Sequence, residues 1–179
     1  MEQRWVAFIR AINGSPHNRI RMQTLAEVLT AAGCRGVSWH LHTGNIFLTD
    51  DDDRDTVAQR MQTAMEAHGL RAVDVMLRTP GEVIDLVARR PFAHLDHDAF
   101  QLEATFLGRP PANPDTTELT EQHGVVVGHI DPTVVCFAFP RGGRMQGGFN
   151  GWVEKRWKVP ASSRAWNVVE AVAAKLSVG

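Results

Sequence analysis

The chain is short of almost everything that would name a reaction. It has two cysteines in 179 residues. Cys34 and Cys136 lie in or beside apolar segments without paired spacing, which predicts two buried free thiols rather than a disulfide or a reactive thiol. No apolar run approaches the roughly 20 residues that span a bilayer. The first residues, Met1 to Ile12, mix Glu2, Arg4 and Arg10 into a short apolar stretch, which is not the order of a secretory signal. These absences predict a cytoplasmic protein with no membrane partner. Also missing are a Gly-x-Ser-x-Gly elbow, a Walker loop, a Gly-x-Gly-x-x-Gly turn after a strand and a His-Glu-x-x-His pair. The hydrolase, nucleotide triphosphatase, dinucleotide and zincin chemistries thus have no carrier, and no cofactor is expected. Low-complexity tracts and sequence repeats are absent too. The net charge of -1 gives no bulk attraction to nucleic acid or membrane.

What is present is an ordinary globular composition, 44% hydrophobic and 22% charged, long enough to bury a substantial core. Its charge is unevenly placed. Arg4 to Met22 holds four basic residues and no acid, and Arg141 to Trp166 holds six against Glu154 alone. Residues 23–140 hold eight basic and seventeen acidic residues. Two basic ends flank an acidic middle, and they make a basic face if they meet.

Periodicity gives the elements. Trp5 to Ile9 reads as a strand running into the turn residues Asn13-Gly14-Ser15-Pro16. Met22, Leu25, Val28 and Leu29 recur at helical spacing, with Gly33 as the stop. Val37 to Leu41 and Ile46 to Leu48 read as strands joined through Thr43-Gly44-Asn45, and Asp50 to Asp53 as a solvated loop and helix cap. Val57, Met61 and Met65 form the next helical stripe, and Ala72 to Leu77 a strand. The order β-α-β-β-α-β is that of a ferredoxin-like unit, placed at 1–78. Its expected core comprises Trp5, Phe8, Leu25, Val28, Leu29, Ile46, Leu48, Val57, Met61, Val75 and Leu77.

A second, α/β half is expected over 79–179, giving an α+β fold overall. Pro80 opens a helix that Pro91 stops, and Leu102 to Leu107 is a strand. Arg109 to Pro114 is the most loop-like stretch and marks a seam between halves. Thr117 to His123 reads as a short helix, Val125 to Val127 and Val134 to Phe139 as strands, and 145–158 as a helix weakened by glycines. The last helix is expected to start at Pro160, Ser162 or Ser163 and to bury Trp166, Val169, Val172, Ala173 and Leu176.

Several segments together resemble a known family. Ala7-Phe8-Ile9-Arg10-Ala11-Ile12-Asn13, Asn18-Arg19-Ile20-Arg21-Met22, Thr43-Gly44-Asn45-Ile46-Phe47, Glu154-Lys155-Arg156 and Val159 to Asn167 are similar, in order and spacing, to the motifs of the domain of unknown function 1697 family. The resemblance implies a bacterial α+β fold with a ferredoxin-like N-terminal part and no agreed activity. Members usually carry Arg-Gly where this chain has Arg10-Ala11, and Gly-Gly where it has Ser15-Pro16. Proline lacks an N–H, so a nest of successive amides for an anion is harder to build in that loop.

The chemistry-bearing residues form three classes. The first is a set on or beside loops: Arg10, Asn13, Asn18, Arg19, Asn45, Arg141, Arg164, Trp166 and Asn167. Arginine forks suit carboxylate or phosphate, asparagine amides pair with polar edges, and tryptophan offers a stacking face. The expectation is a small anionic or nucleotide-like ligand at a basic site between the halves, where Arg10, Asn45, Arg141 and Arg164 converge. Against it, Asn13 and Asn45 can cap loops, Trp166 can be core and Arg164 can complete an internal ion pair, with Glu154 or Glu103 as partner. The second class is nucleic-acid binding, through Phe149, Trp152 and Trp157 interleaved with Arg144, Lys155, Arg156 and Lys158. At helical spacing those aromatics are more often a helix packed on its sheet. The third is an enzyme for a small anionic substrate, with His17 or His42 as base, neither having an orienting partner. His40-x-His42 on a strand shares a face but lacks further ligands, and His94 to Asp98 reads as a solvated loop, so no metal site is expected.

Overall fold

A computed structural model describes residues 2–14, 16–143 and 148–178. The chain divides into two compact units, Met1–Glu82 and Val83–Gly179.

In the first unit β1 (Gln3–Ile9) leads through a short 3-10 turn (Pro16–Asn18) to α1 (Met22–Ala31). Then come β2 (Arg35–His40), β3 (Asn45–Asp50), α2 (Arg54–Ala67), β4 (Val75–Arg78) and the start of α3 (Pro80–Ala88). The sheet is antiparallel in the order β2-β3-β1-β4, the ferredoxin-like arrangement. The period-two alternation of β1 sends Trp5, Ala7 and Ile9 into one core with Leu25 and Leu29 of α1 and Val57, Met61 and Met65 of α2. Phe8 is as fully buried but belongs to the other face of the sheet, and Val28 is half-buried at the flank of α1. They fall outside that core for the same reason: each is one residue out of phase with the inward positions. The Asp50 to Asp53 stretch is not uniformly solvated. Asp53 caps α2 by accepting the N–H groups of Asp55 and Thr56 at 3.1 and 3.0 Å, whereas Asp50 ends β3 buried against Arg60.

The second unit contains β5 (Phe100–Leu107), α4 (Thr117–His123), β6 (Val126–Ile130), β7 (Val134–Pro140), α5 (Gly148–Trp157), β8 (Ala161–Ala165) and α6 (Trp166–Ser177). The Arg109 to Pro114 loop lies inside this unit, between β5 and α4, and marks no seam. The final helix starts later than its serines suggest. Ser162 and Ser163 lie in β8, paired with Phe106 and Thr105 of β5, and α6 begins at Trp166. Strand pairing prevails there because β8 supplies the fourth strand and covers the second edge of β5.

This unit repeats the first although the sequence shows no repeat. Its order is again β-α-β-β-α-β, and its sheet, β6-β7-β5-β8, has the same strand sequence as β2-β3-β1-β4. The correspondence reaches single residues. Before the last strand of each unit stands a residue in the left-handed region, Ala72 at φ 50° and Lys158 at φ 58°. Its carbonyl accepts an arginine from the end of the unit's first strand: Arg10 Nη1 at 3.2 Å and Arg109 Nη2 at 2.5 Å. Those last strands carry buried arginines, Arg78 and Arg164, opposite Val6 and Ala104. Helix α6 follows β8 as α3 follows β4, and packs on β5 and β8.

Candidate functional site

The asparagines of the first unit are occupied in building it. Asn13, at φ 56°, accepts the Ile20 N–H at 2.8 Å and donates to the carbonyls of Ile20 at 3.0 Å and His42 at 2.7 Å. Asn18 is buried; its Nδ2 donates to Arg71 O at 2.7 Å and its Oδ1 accepts the Arg71 N–H at 2.9 Å. Asn45 is wholly buried and donates to His40 O at 3.0 Å. Three loops at one end of the sheet are thereby tied together. Gly44 sits among them at φ 78°, where a Cβ would lie 3.1 Å from Ile9 O. Ala11 takes φ 66°, a left-handed conformation that glycine adopts without strain. Arg19 is exposed, as are His17 and His42. His42 follows Leu41, whose φ of 59° ends β2, so the strand alternation that would align it with His40 is broken.

Arg10 and Asn45 belong to the first unit, Arg141 and Arg164 to the second. Within the second, Arg164 and Arg141 part company. Arg164 pairs with Ala104 and lies on the sheet face opposite Glu103, which excludes the Glu103 ion pair. It is buried, donates to Ser162 Oγ at 2.7 Å and Ser163 O at 2.8 Å, and burial pushes its pKa down to about 10. Arg141 is exposed and lines a cleft of about 340 Å³ with His97, Phe100, Gln101, Trp166 and Asn167. Leu102, Ala165 and Glu170 complete its wall.

Three of the expected residues, Arg141, Trp166 and Asn167, thus meet in one concavity. Arg141 is positioned by its N–H on Ala99 O at 2.9 Å and by a long 3.4 Å contact from Nη2 to His97 O. Trp166 is mostly buried and packs edge-on against Phe92, with centroids 5.2 Å apart, so it offers the cleft a rim rather than a stacking face. His97, which the sequence places in a solvated loop, also lines the cleft, and Phe100, Gln101 and Glu170 carry no sequence signal, because nothing in a local pattern marks residues that the end of one strand and the start of another element bring together.

Glu103 lies behind Gln101, whose Nε2 donates to its Oε1 at 2.5 Å. Burial pushes this carboxyl above the usual range, and the Gln101 bond only partly opposes that. The folded chain therefore holds the Glu103 proton more tightly than the unfolded chain does. The cost is absent below the unfolded value and grows as pH rises towards the folded one. Glu103→Gln should raise Tm at pH 7 by a few degrees and leave it nearly unchanged below about pH 4. Melts of both proteins across pH check this; an equal gain at both ends would refute the buried carboxylate.

The aromatic residues of the nucleic-acid reading are structural. Phe149, Trp152 and Trp157 lie in the core with Phe137 and Phe139, Phe149 stacking on Phe137 at 4.5 Å. Arg156 pairs with Glu118. Arg144 lies outside the described residues. Cys34 and Cys136 are free and buried, and burial pushes the Cys136 thiol up to about 12. Among the described residues no helix is long and apolar enough to cross a membrane.

The sequence model of a family described as protein of unknown function (DUF1697) matches residues 2–128. The chain belongs to that family. The match spans the whole first unit and the second as far as β6, ending before β7, α5, β8 and α6. No curated protein matches the chain. Among solved structures it is similar to a conserved bacterial protein from Streptococcus pneumoniae, with TM-score 0.68 at 15% identity, covering 99% of each chain. That likeness shows a shared fold over the full length of the chain.

Proposed function

We propose that this DUF1697 protein binds a small anionic ligand in the second-unit cleft bounded by β5 and the first turn of α6. The observation that carries the reading is the convergence there of Arg141, His97 and Asn167 on an open cavity whose volume, about 340 Å³, is at the lower end of ligand pockets. Two further features support it. Among the described residues Arg141 is held by its backbone and one long side-chain contact, which leaves its fork to an oxyanion. The N-cap of α6, Ala165, offers no side-chain cap, so the first amides of the helix add a partial positive charge to the same wall. Glu170 on that wall limits the anion to one small charged end.

The test is thermal. At a hundredfold excess over Kd a ligand stabilises by about 2.7 kcal/mol, which is several degrees for a chain of this size. Titration with acetate, inorganic phosphate and adenosine monophosphate should raise Tm with at least one of them. Arg141→Ala should abolish the rise while Arg19→Ala, in the first unit, preserves it. No rise with any probe, or a rise indifferent to Arg141→Ala, would refute the reading.

A further inference from the structure

The floor of the cleft is a strand edge. In an antiparallel sheet, successive residues turn their backbone groups to opposite neighbours. Leu107 gives its N–H to Thr133 O at 2.8 Å, on the β7 side, and Gly108 gives its N–H to Pro160 O at 2.8 Å, on the β8 side. Odd-numbered residues of β5 therefore face β7 and even-numbered ones face β8. Strand β7 accompanies β5 along its length, from Phe106 opposite Val134 to Phe100 opposite Pro140. Strand β8 stops at the pair Glu103 and Ala165. The Glu103 and Ala165 pair lies between hydrogen-bonded pairs and so places Trp166 opposite Leu102. Among the described residues Phe100 is thus the one in β5 that turns its backbone towards a side where no strand lies opposite, and it lines the cleft with Leu102.

The first unit shows how the same junction can be closed. There β4 stops at Arg78, opposite Val6, and the chain turns into α3. Thr79 gives its N–H to Glu82 Oε2 at 2.6 Å, and Glu82 gives its N–H to Thr79 Oγ1 at 3.2 Å, a reciprocal cap. Arg54 then holds both carboxylate oxygens of Glu82 at 2.8 Å. The second unit has Ala165 at the corresponding position and neither the cap nor the carboxylate. Where the first unit caps the helix after its last strand with Glu82, the second has a cleft beside the first turn of α6 with Arg141 in its lining.

We infer that the cleft takes the free C-terminal end of a short peptide, or an N-acylated amino acid of the same pattern, added as a strand to the β5 edge. This rests on the proposed anion site and names its ligand class. The Phe100 N–H and carbonyl supply the ladder, as in other strand-addition complexes. Direction follows from geometry. A segment continuing the path of β8 beyond Trp166 runs antiparallel to β5 and ends beside Ala99, where Arg141 is anchored. Its terminal carboxylate meets the Arg141 fork there. Glu170 disfavours a second negative charge on the opposite wall, and Phe100, Leu102 and Trp166 suit small apolar side chains.

The full chain, labelled with nitrogen-15, is titrated with N-acetyl-Ala-Ala as the free acid, its C-terminal methyl ester and inorganic phosphate. The free acid is expected to shift the Phe100 amide resonance and to bind about tenfold or more tightly than the ester. Arg141→Ala should reduce the acid to the ester's level, and Arg141→Lys should recover part of the loss by restoring charge without the fork. Equal binding of acid and ester overturns the inference, as does binding that leaves the Phe100 amide unmoved. If phosphate binds in an Arg141-dependent way and the peptide does not, the anion site stands and the peptide class falls. If no probe binds, both fall.

Discussion

Arg60→Met should destabilise the chain by about 3–5 kcal/mol, the cost of leaving a buried carboxylate without its partner. Asp50 ends β3 with a side chain only 4% exposed, and the Arg60 guanidinium bridges it to Asp52, the latter contact at 2.7 Å. Burial alone would raise the Asp50 carboxyl; hydrogen bonds from Arg60 and the Asp52 N–H outweigh it and hold the group below the usual carboxylate range. The same guanidinium acts on the buried Cys34 thiol, which burial and the Asp50 charge raise. A depressed carboxyl contributes stability that is present above its unfolded value and lost as pH falls through the folded one. The natural chain should therefore weaken below about pH 4. In Arg60→Met the sign reverses: Asp50 is then raised, and the variant loses stability as pH increases. Asp50→Asn combined with Arg60→Met should recover most of the loss, since the uncompensated charge is gone. Urea unfolding of the three variants at pH 4 and pH 7 checks this, and a double variant as weak as Arg60→Met would contradict it.

Asn18→Ala should cost about 2–4 kcal/mol. The side chain acts as a one-residue strand partner for Arg71, satisfying its backbone N–H and carbonyl together. Removing it leaves both groups unpaired beside a buried position, at about 1–3 kcal/mol each, less whatever water recovers. Asn18→Asp should not rescue it, because a carboxylate can accept from the Arg71 N–H but cannot donate to the carbonyl. By contrast Arg19→Ala, one residue on and exposed, should stay within about 0.5 kcal/mol of the natural chain. Chemical denaturation of the three variants decides it; equal stabilities would mean the loop is not held by this residue.

These two residues show where the sequence was and was not legible. The helix stripes of Met22, Leu25 and Leu29 and of Val57, Met61 and Met65 could be read directly, because a period of 3.6 reports which side faces a core whatever that core is. The acid run at 50–53 could not be divided in advance. Asp53 caps by a local rule, but Asp50 is buried by Arg60, ten residues away and one helix over. Asn13, Asn18 and Asn45 hold backbone groups of neighbouring loops, a use that sequence does not separate from ligand binding, since the same amide serves a ligand or a carbonyl and only the tertiary neighbours choose. Arg164 was placed at a helix start on the strength of its serines, which β5 recruits into a strand.

The sequence by itself determined the class, the first ferredoxin-like unit, the family and the absence of any familiar catalytic motif, because composition, periodicity and short motifs are local properties. Tertiary structure alone decided that the second half repeats the first, since the repeat resides in strand order, in two left-handed residues and in two buried arginines rather than in similar side chains. It also decided that Arg141 lines the described cleft while Arg164 is buried in its sheet. That outcome depends on where β8 stops along β5, and the length of a pairing between strands some 60 residues apart is fixed by the packing of the whole unit, which no local pattern encodes.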